Sequence, residues 1–155
     1  ALIQGGGQEG GYRSGTEATP AIFAFAAAAE AGMQTFRQDT AREKELLNSL
    51  CEKLSALPGL VLTGAHEAPH ILNIAIPSVP TQNTINILQD HGICVSAGSA
   101  CSAKHADNRV LSAFGLPDKI ADSTLRLSFS ADNTTAECDA FVKALSDAMQ
   151  TLIHT

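Results

Sequence analysis

The spacing of apolar residues along the chain changes character twice. Between Ala18 and Ala31 the apolar positions include Phe23, Phe25 and a row of alanines. Ahead of them Thr19-Pro20 offers a hydroxyl N-cap with proline at the first helical position, so a helix is expected to begin there and to be interrupted by Gly32. So many small residues call for close packing on several sides, and the helix therefore expects a neighbour. A second helix is predicted over Asp39 to Leu57, with Leu46, Leu47, Leu50, Leu54 and Leu57 at helical spacing and Arg42, Glu43, Glu45 and Glu52 on other faces. Pro58-Gly59 ends it.

Beyond Gly59 the period shortens. Leu60 to Thr63 and Ile71 to Ile76 read as strands, Thr81 to Asp90 as a helix closed by Gly92, and Ile93 to Ala97 as another strand in which Cys94 has apolar neighbours. A short helix is expected over 109–114, closed by Gly115, followed by the alternating strand Leu125 to Phe129. Thr134-Thr135-Ala136-Glu137 has the form of a capping box, and Phe141, Leu145, Met149 and Leu152 make one apolar stripe behind it. The expectation is an α/β fold, a small sheet covered by helices over residues 36–155. Residues 1–35, without strands of their own, read as a severed piece of a larger domain.

Composition narrows the function classes. At 155 residues and 45% apolar content the chain can bury a core. A formal charge of -6, with lysines and arginines never clustered, argues against a phosphate-binding nucleic-acid surface. The alanine-rich stretch is too short to span a bilayer, and the N-terminus lacks the order of a secretory signal, so no nucleic acid and no membrane are expected as partners. Four scattered cysteines suit reduced thiols, and a cytoplasmic location is the expectation. The first residue is alanine, and the chain reads as starting partway through a longer sequence.

Three segments carry candidate chemistry. Gly5-Gly6-Gly7-Gln8-Glu9-Gly10 satisfies G-x-G-x-x-G, but only Ala1 to Gln4 precede it, leaving no room for the strand of a dinucleotide-binding unit. What remains is a polar loop ending in Arg13-Ser14-Gly15-Thr16, either an ordinary loop or one whose guanidinium, hydroxyls and amides hold an anion. Ser96 to Ala103 is a run of small residues around Cys101, which leaves that thiol more accessible than Cys51 or Cys138 on their helices. His105 reads as a loop histidine. The cysteine and histidine spacings supply no closed tetrahedral set, so no metal is expected. Arg126 alternates with Leu125 and Leu127; it points either to solvent or into a cleft, where it would receive a carboxylate through paired hydrogen bonds.

Taken in order, the Gly-Gly-Gly-Gln-Glu run, Arg13-Ser14-Gly15-Thr16-Glu17, Ile71-Leu72-Asn73, Val95 to Ser102 and Ser123 to Ser128 closely resemble the cysteine desulfurases of the class V aminotransferase family. The resemblance covers nearly the whole chain. It implies a homodimer of pyridoxal-phosphate fold type I, of which residues 1–35 would be the end of the large cofactor domain and residues 36–155 the small C-terminal domain. It further implies that Thr16 contacts the phosphate of the partner subunit's cofactor and that Arg126 grips the substrate carboxylate. Cys101 would attack the sulfur of cofactor-bound L-cysteine, leaving a persulfide and releasing L-alanine.

The sulfur would then pass to an acceptor such as an iron-sulfur scaffold, or toward tRNA thiolation. The Schiff-base lysine of the family stands in a His-Lys context, which Lys44, Lys53, Lys104, Lys119 and Lys143 do not share. The isolated chain is therefore expected to hold pyridoxal 5'-phosphate only as part of the full-length enzyme and to be inactive alone. Two alternatives stand beside this reading: a stand-alone persulfide carrier using the same Cys101, and a selenocysteine lyase on the same fold.

Overall fold

Four leucines at helical spacing, Leu46, Leu47, Leu50 and Leu54, are all buried, and they anchor the core of a computed structural model. The structure describes residues 1–64, 67–77, 79–97, 113, 115–117, 120 and 123–153. The chain divides into two compact units, Ala1–Arg37 and Gln38–Thr155.

Helix α1 spans Thr19–Ser55. The expected interruption at Gly32 is absent, and the reason is energetic. One internal glycine costs about 1 kcal/mol relative to alanine, which a 37-residue helix dominated by good helix formers absorbs. Through Arg37 the helix belongs to the first unit, and there Phe23 and Phe25 are each 76% exposed and Met33 75%. The close packing expected around the alanine-rich segment is therefore not met within this chain among the described residues. Ser14 is the one buried residue of that unit.

The second unit is built on a three-stranded antiparallel sheet, β1 Val61–Thr63, β2 Ile71–Ala75 and, after helix α2 at Thr81–Asp90, β3 Thr124–Ser128, in the order β1-β2-β3. Helix α3 spans Thr135–Ile153 and packs on α2. Successive side chains of a strand face opposite ways, and the register Leu72↔Leu127 and Ile74↔Leu125 gathers four fully apolar residues on one face. That face meets Leu47, Leu50 and Leu54 of α1, Leu88 of α2, and Phe141, Leu145 and Met149 of α3 in one cluster. Burying side chains of this size contributes about 1.5–3 kcal/mol each.

Local signals fix the helix ends. The C-terminus of α2 is a Schellman motif: Ile93 N–H donates to the Leu88 carbonyl at 2.9 Å and Gly92 N–H to the Gln89 carbonyl at 2.9 Å. Gly92 supplies the left-handed residue, with φ of 74°. Both Ile93 and Leu88 then join the core cluster, the hydrophobic contact that accompanies such a stop. At the start of α3, Glu137 Oε2 accepts from Thr134 N–H at 2.7 Å while Thr134 Oγ1 accepts from Glu137 N–H at 3.3 Å, the reciprocal capping box read from the sequence.

One expected strand is reduced to a single bridge. Of Ile93 to Ala97 only Ser96 pairs, with Arg126, because Ile93 is taken up by the stop of α2. Cys94 consequently stands exposed rather than inside an apolar strand. The helix expected over 109–114 lies, apart from Ala113, outside the described residues.

Candidate functional site

Arg126 sits in the middle of β3 and spends both of its backbone groups on one neighbour. Its N–H donates to the Ser96 carbonyl at 2.7 Å, and its carbonyl accepts from Ser96 N–H at 3.2 Å. An antiparallel residue whose backbone bonds all go to one side faces a non-hydrogen-bonded partner on the other. That partner is Asn73 of β2, and in such pairs the side chains approach most closely. Asn73 is in turn paired with Thr63 of β1. Thr63, Asn73 and Arg126 therefore form one row across the sheet, on the face opposite the leucines.

This row is electrostatically incomplete. Thr63 Oγ1, Asn73 Oδ1 and Arg126 Nε are buried and lack a hydrogen-bond partner, and they are the buried side-chain polar atoms of the described residues for which this holds. Leaving a buried donor or acceptor unpaired costs about 1–3 kcal/mol, so three in one row is a concentration of unused bonding capacity. Arg126 is half-buried. On that face the structure shows a half-buried arginine whose Nε is buried and unspent.

The loop carrying Thr16 folds back on itself within the first unit. Ser14 Oγ accepts from Gly7 N–H at 3.2 Å, Gln8 Oε1 accepts from Gly15 N–H at 3.1 Å, and Arg13 Nη1 donates to the carbonyls of Gly15 and Thr16 at 3.2 and 3.4 Å. A Cβ added at Gly5 would stand 2.9 Å from Ser14 Cβ, so this closure requires glycine there. Most of the donors that looked available for an anion are spent on the loop itself. Thr16 remains exposed. The loop by itself is therefore not a complete phosphate cradle.

The thiols separate by environment. Burial pushes Cys51 and Cys138 above the ordinary thiol range, for Cys138 with Asp139 and Glu137 adding to the rise and Lys53 opposing it. Both stay protonated and weakly nucleophilic at neutral pH. Cys94 and Cys138 line an apolar pocket of about 130 Å³ with Leu50, Phe129 and Phe141, smaller than the roughly 300 Å³ at which small-molecule sites begin. Cys101 and the rest of its small-residue run from Gly98 lie outside the described residues, as do His105, Lys104 and Lys119. Of the described lysines, Lys53 pairs with Asp139 of α3. Among the described residues no group of histidines, cysteines and carboxylates could hold a metal ion, and no helix is long and apolar enough to cross a membrane.

Sequence reasoning assigned roles to Thr16, Cys101 and Arg126. The structure puts Arg126 beside Ser96, Asn73 and Thr63, and Thr16 in the other unit. Asn73 and Thr63 were missed, although a polar residue at the centre of Ile71-Leu72-Asn73-Ile74-Ala75 was a signal that something beyond core packing was being served.

Comparison with known proteins gives a consistent picture. The chain is 38% identical over 153 residues to a NifS/IcsS protein homolog of Lactobacillus delbrueckii subsp. bulgaricus, covering 96% of this chain and 40% of that protein. It is 36% identical to the mitochondrial cysteine desulfurase of Saccharomyces cerevisiae, covering 97% of this chain and 31% of the relative. The structure of a NifS-like protein from Rickettsia africae superposes with a TM-score of 0.81 at 30% identity, over 96% of this chain and 39% of that one. The chain thus spans well under half the length of the relatives it matches. With the model of the class-V aminotransferases matched over residues 4–141, the chain belongs to the class-V aminotransferase family.

Proposed function

We propose that the chain is the C-terminal part of a pyridoxal-phosphate-dependent cysteine desulfurase. The observation that carries this reading is Arg126, a half-buried guanidinium with Nε unpartnered, bonded through its backbone to Ser96, only five residues ahead of Cys101. Five residues of extended chain reach at most about 17 Å. A carboxylate grip and a thiol on adjoining segments are what sulfur transfer from an amino acid requires.

In this reading Arg126 binds the carboxylate of L-cysteine through charge-assisted hydrogen bonds and orients the side chain of the substrate. The Cys101 thiolate attacks the substrate sulfur; an S–S bond forms, the substrate C–S bond breaks, and L-alanine leaves after protonation of its β-carbon. The net change is L-cysteine plus the Cys101 thiol giving L-alanine plus a Cys101 persulfide. Bound pyridoxal phosphate would supply the electron sink that makes the C–S bond labile. The exposed Thr16 hydroxyl would contact its phosphate across a homodimer. The persulfide would pass to an acceptor protein for iron-sulfur cluster assembly or tRNA thiolation, in the cytoplasm. The 155-residue chain alone is expected to be inactive.

The test is single-turnover alanine production by the full-length protein, with mass spectrometry of the peptide containing Cys101. The expected result is a gain of one sulfur at Cys101, abolished in Cys101→Ser, and a kcat/KM for L-cysteine lowered at least a hundredfold in Arg126→Gln, as loss of two charge-assisted bonds implies. Sulfur appearing on Cys94 instead, or full activity in Arg126→Gln, would overturn the assignment.

A further inference from the structure

Three buried polar atoms without partners lie in one cross-strand row, and their chemistry is complementary. Thr63 Oγ1 is a donor as well as an acceptor, Asn73 Oδ1 is an acceptor with two lone pairs, and Arg126 Nε is a donor. The register pairs Thr63 with Asn73 and Asn73 with Arg126, so the acceptor stands between the two donors. One oxygen can therefore satisfy the whole row by accepting twice. The backbone of Arg126 reinforces this placement: because its N–H and carbonyl are bonded to Ser96, the Asn73–Arg126 pair is the close, non-hydrogen-bonded kind, in which facing side chains are within reach of one another.

A guanidinium can take a carboxylate on either of two edges, through the two Nη groups or through Nε and one Nη. An acceptor on Nε removes the second option. We propose that Asn73 is a positioning residue for Arg126: when the substrate carboxylate binds, Asn73 Oδ1 accepts the Arg126 Nε–H, the Thr63 hydroxyl donates to the same oxygen, and both Nη groups are thereby presented end-on to that carboxylate. This rests on the reading of Arg126 as the carboxylate receptor and goes beyond it, because it assigns the orientation of the guanidinium, and so the angle at which the substrate stands, to a side chain on a neighbouring strand. Thr63 and Asn73 touch neither substrate nor cofactor in this scheme. They act through Arg126.

The experiment is a double-mutant cycle in the full-length protein, read as the affinity for L-alanine by calorimetry and as separate KM and kcat for L-cysteine. Alanine carries the same carboxylate and amine and undergoes no sulfur transfer, so its binding isolates recognition. Asn73→Leu, close in size and without an acceptor, should weaken L-alanine binding about tenfold, the loss expected for one hydrogen bond to a charged group, and raise KM in step while kcat changes less than twofold. Thr63→Val should act in the same direction by a smaller factor. In an Arg126→Gln background, Asn73→Leu should cost nothing further, since a residue acting only through Arg126 has nothing left to position.

Unchanged alanine affinity in Asn73→Leu, or an equal penalty with and without Arg126, would overturn the positioning role while leaving the carboxylate receptor standing. Alanine affinity unaffected by Arg126→Gln would overturn the receptor reading itself. Should Asn73→Leu fail to fold, Asn73→Ala and Thr63→Val carry the same cycle.

Discussion

Thr63→Val probes the polar row through stability. Thr63 is 4% exposed and its hydroxyl is buried without a partner. Valine keeps the β-branched shape and suits a strand equally well, so the substitution exchanges an unpaired hydroxyl for a methyl group with little change in packing. Relief of the unmet bond is worth about 1–3 kcal/mol, because the hydroxyl is hydrated in the unfolded chain and unpaired in the folded one. The expected net gain for the ligand-free protein is about 1–2 kcal/mol. With a urea m-value of about 2 kcal/mol/M, the denaturation midpoint should rise by about 0.5–1 M at unchanged slope. The assay is urea unfolding followed by circular dichroism, with and without L-alanine. The gain should shrink when L-alanine is present, because the ligand binds the variant less tightly and so stabilises it less. A midpoint that falls in the ligand-free variant would show that the hydroxyl is satisfied in solution, and the argument from unpaired atoms would fail with it.

Further predictions concern the elements that hold the row. Gly92→Ala places a side chain at φ of 74° with nothing within 4 Å of the new Cβ, so the loss of about 1 kcal/mol should come from the backbone alone and appear as a lowered melting temperature. Because the altered stop also carries Ser96, the same variant should lower carboxylate affinity more than a remote surface change of equal cost. Glu137 is held below its ordinary value of 4.5 by hydrogen bonds from the Thr134 backbone and side chain and from Asn133. A folded-state value below the unfolded one means stabilisation that is full above about pH 4.5 and lost as pH falls through the folded value. The stability difference between wild type and Glu137→Gln should accordingly be constant near neutrality and vanish in acid; a difference that grows on acidification would contradict the capping-box account.

How far the sequence could be read depended on the range of the interactions involved. The capping box at Thr134, the stop at Gly92 and the leucine stripe of α1 are local, and each was legible because a few adjacent side chains decide it. Gly32 misled because a breaker signal of about 1 kcal/mol is weighed against an entire helix, and here the helix wins. Ile93 to Ala97 misled because its first residue serves the stop of α2 and only Ser96 reaches β3. For Arg126 the alternation gave the face but not the surroundings. The row it shares with Asn73 and Thr63 exists only once three separate strands have taken their register, and no spacing along the chain encodes that.

The bridge between Ser96 and Arg126 has a consequence for how this segment can change over evolution. Strand alternation has a period of two, so a single residue inserted within β3, between Thr124 and Arg126, would turn Arg126 into the leucine layer. Intermediate placements do not exist, since the ladder allows steps of a whole residue and facing is regained only after two, a displacement of about 7 Å. Length variation between α2 and β3 must therefore be absorbed between Ser96 and Thr124.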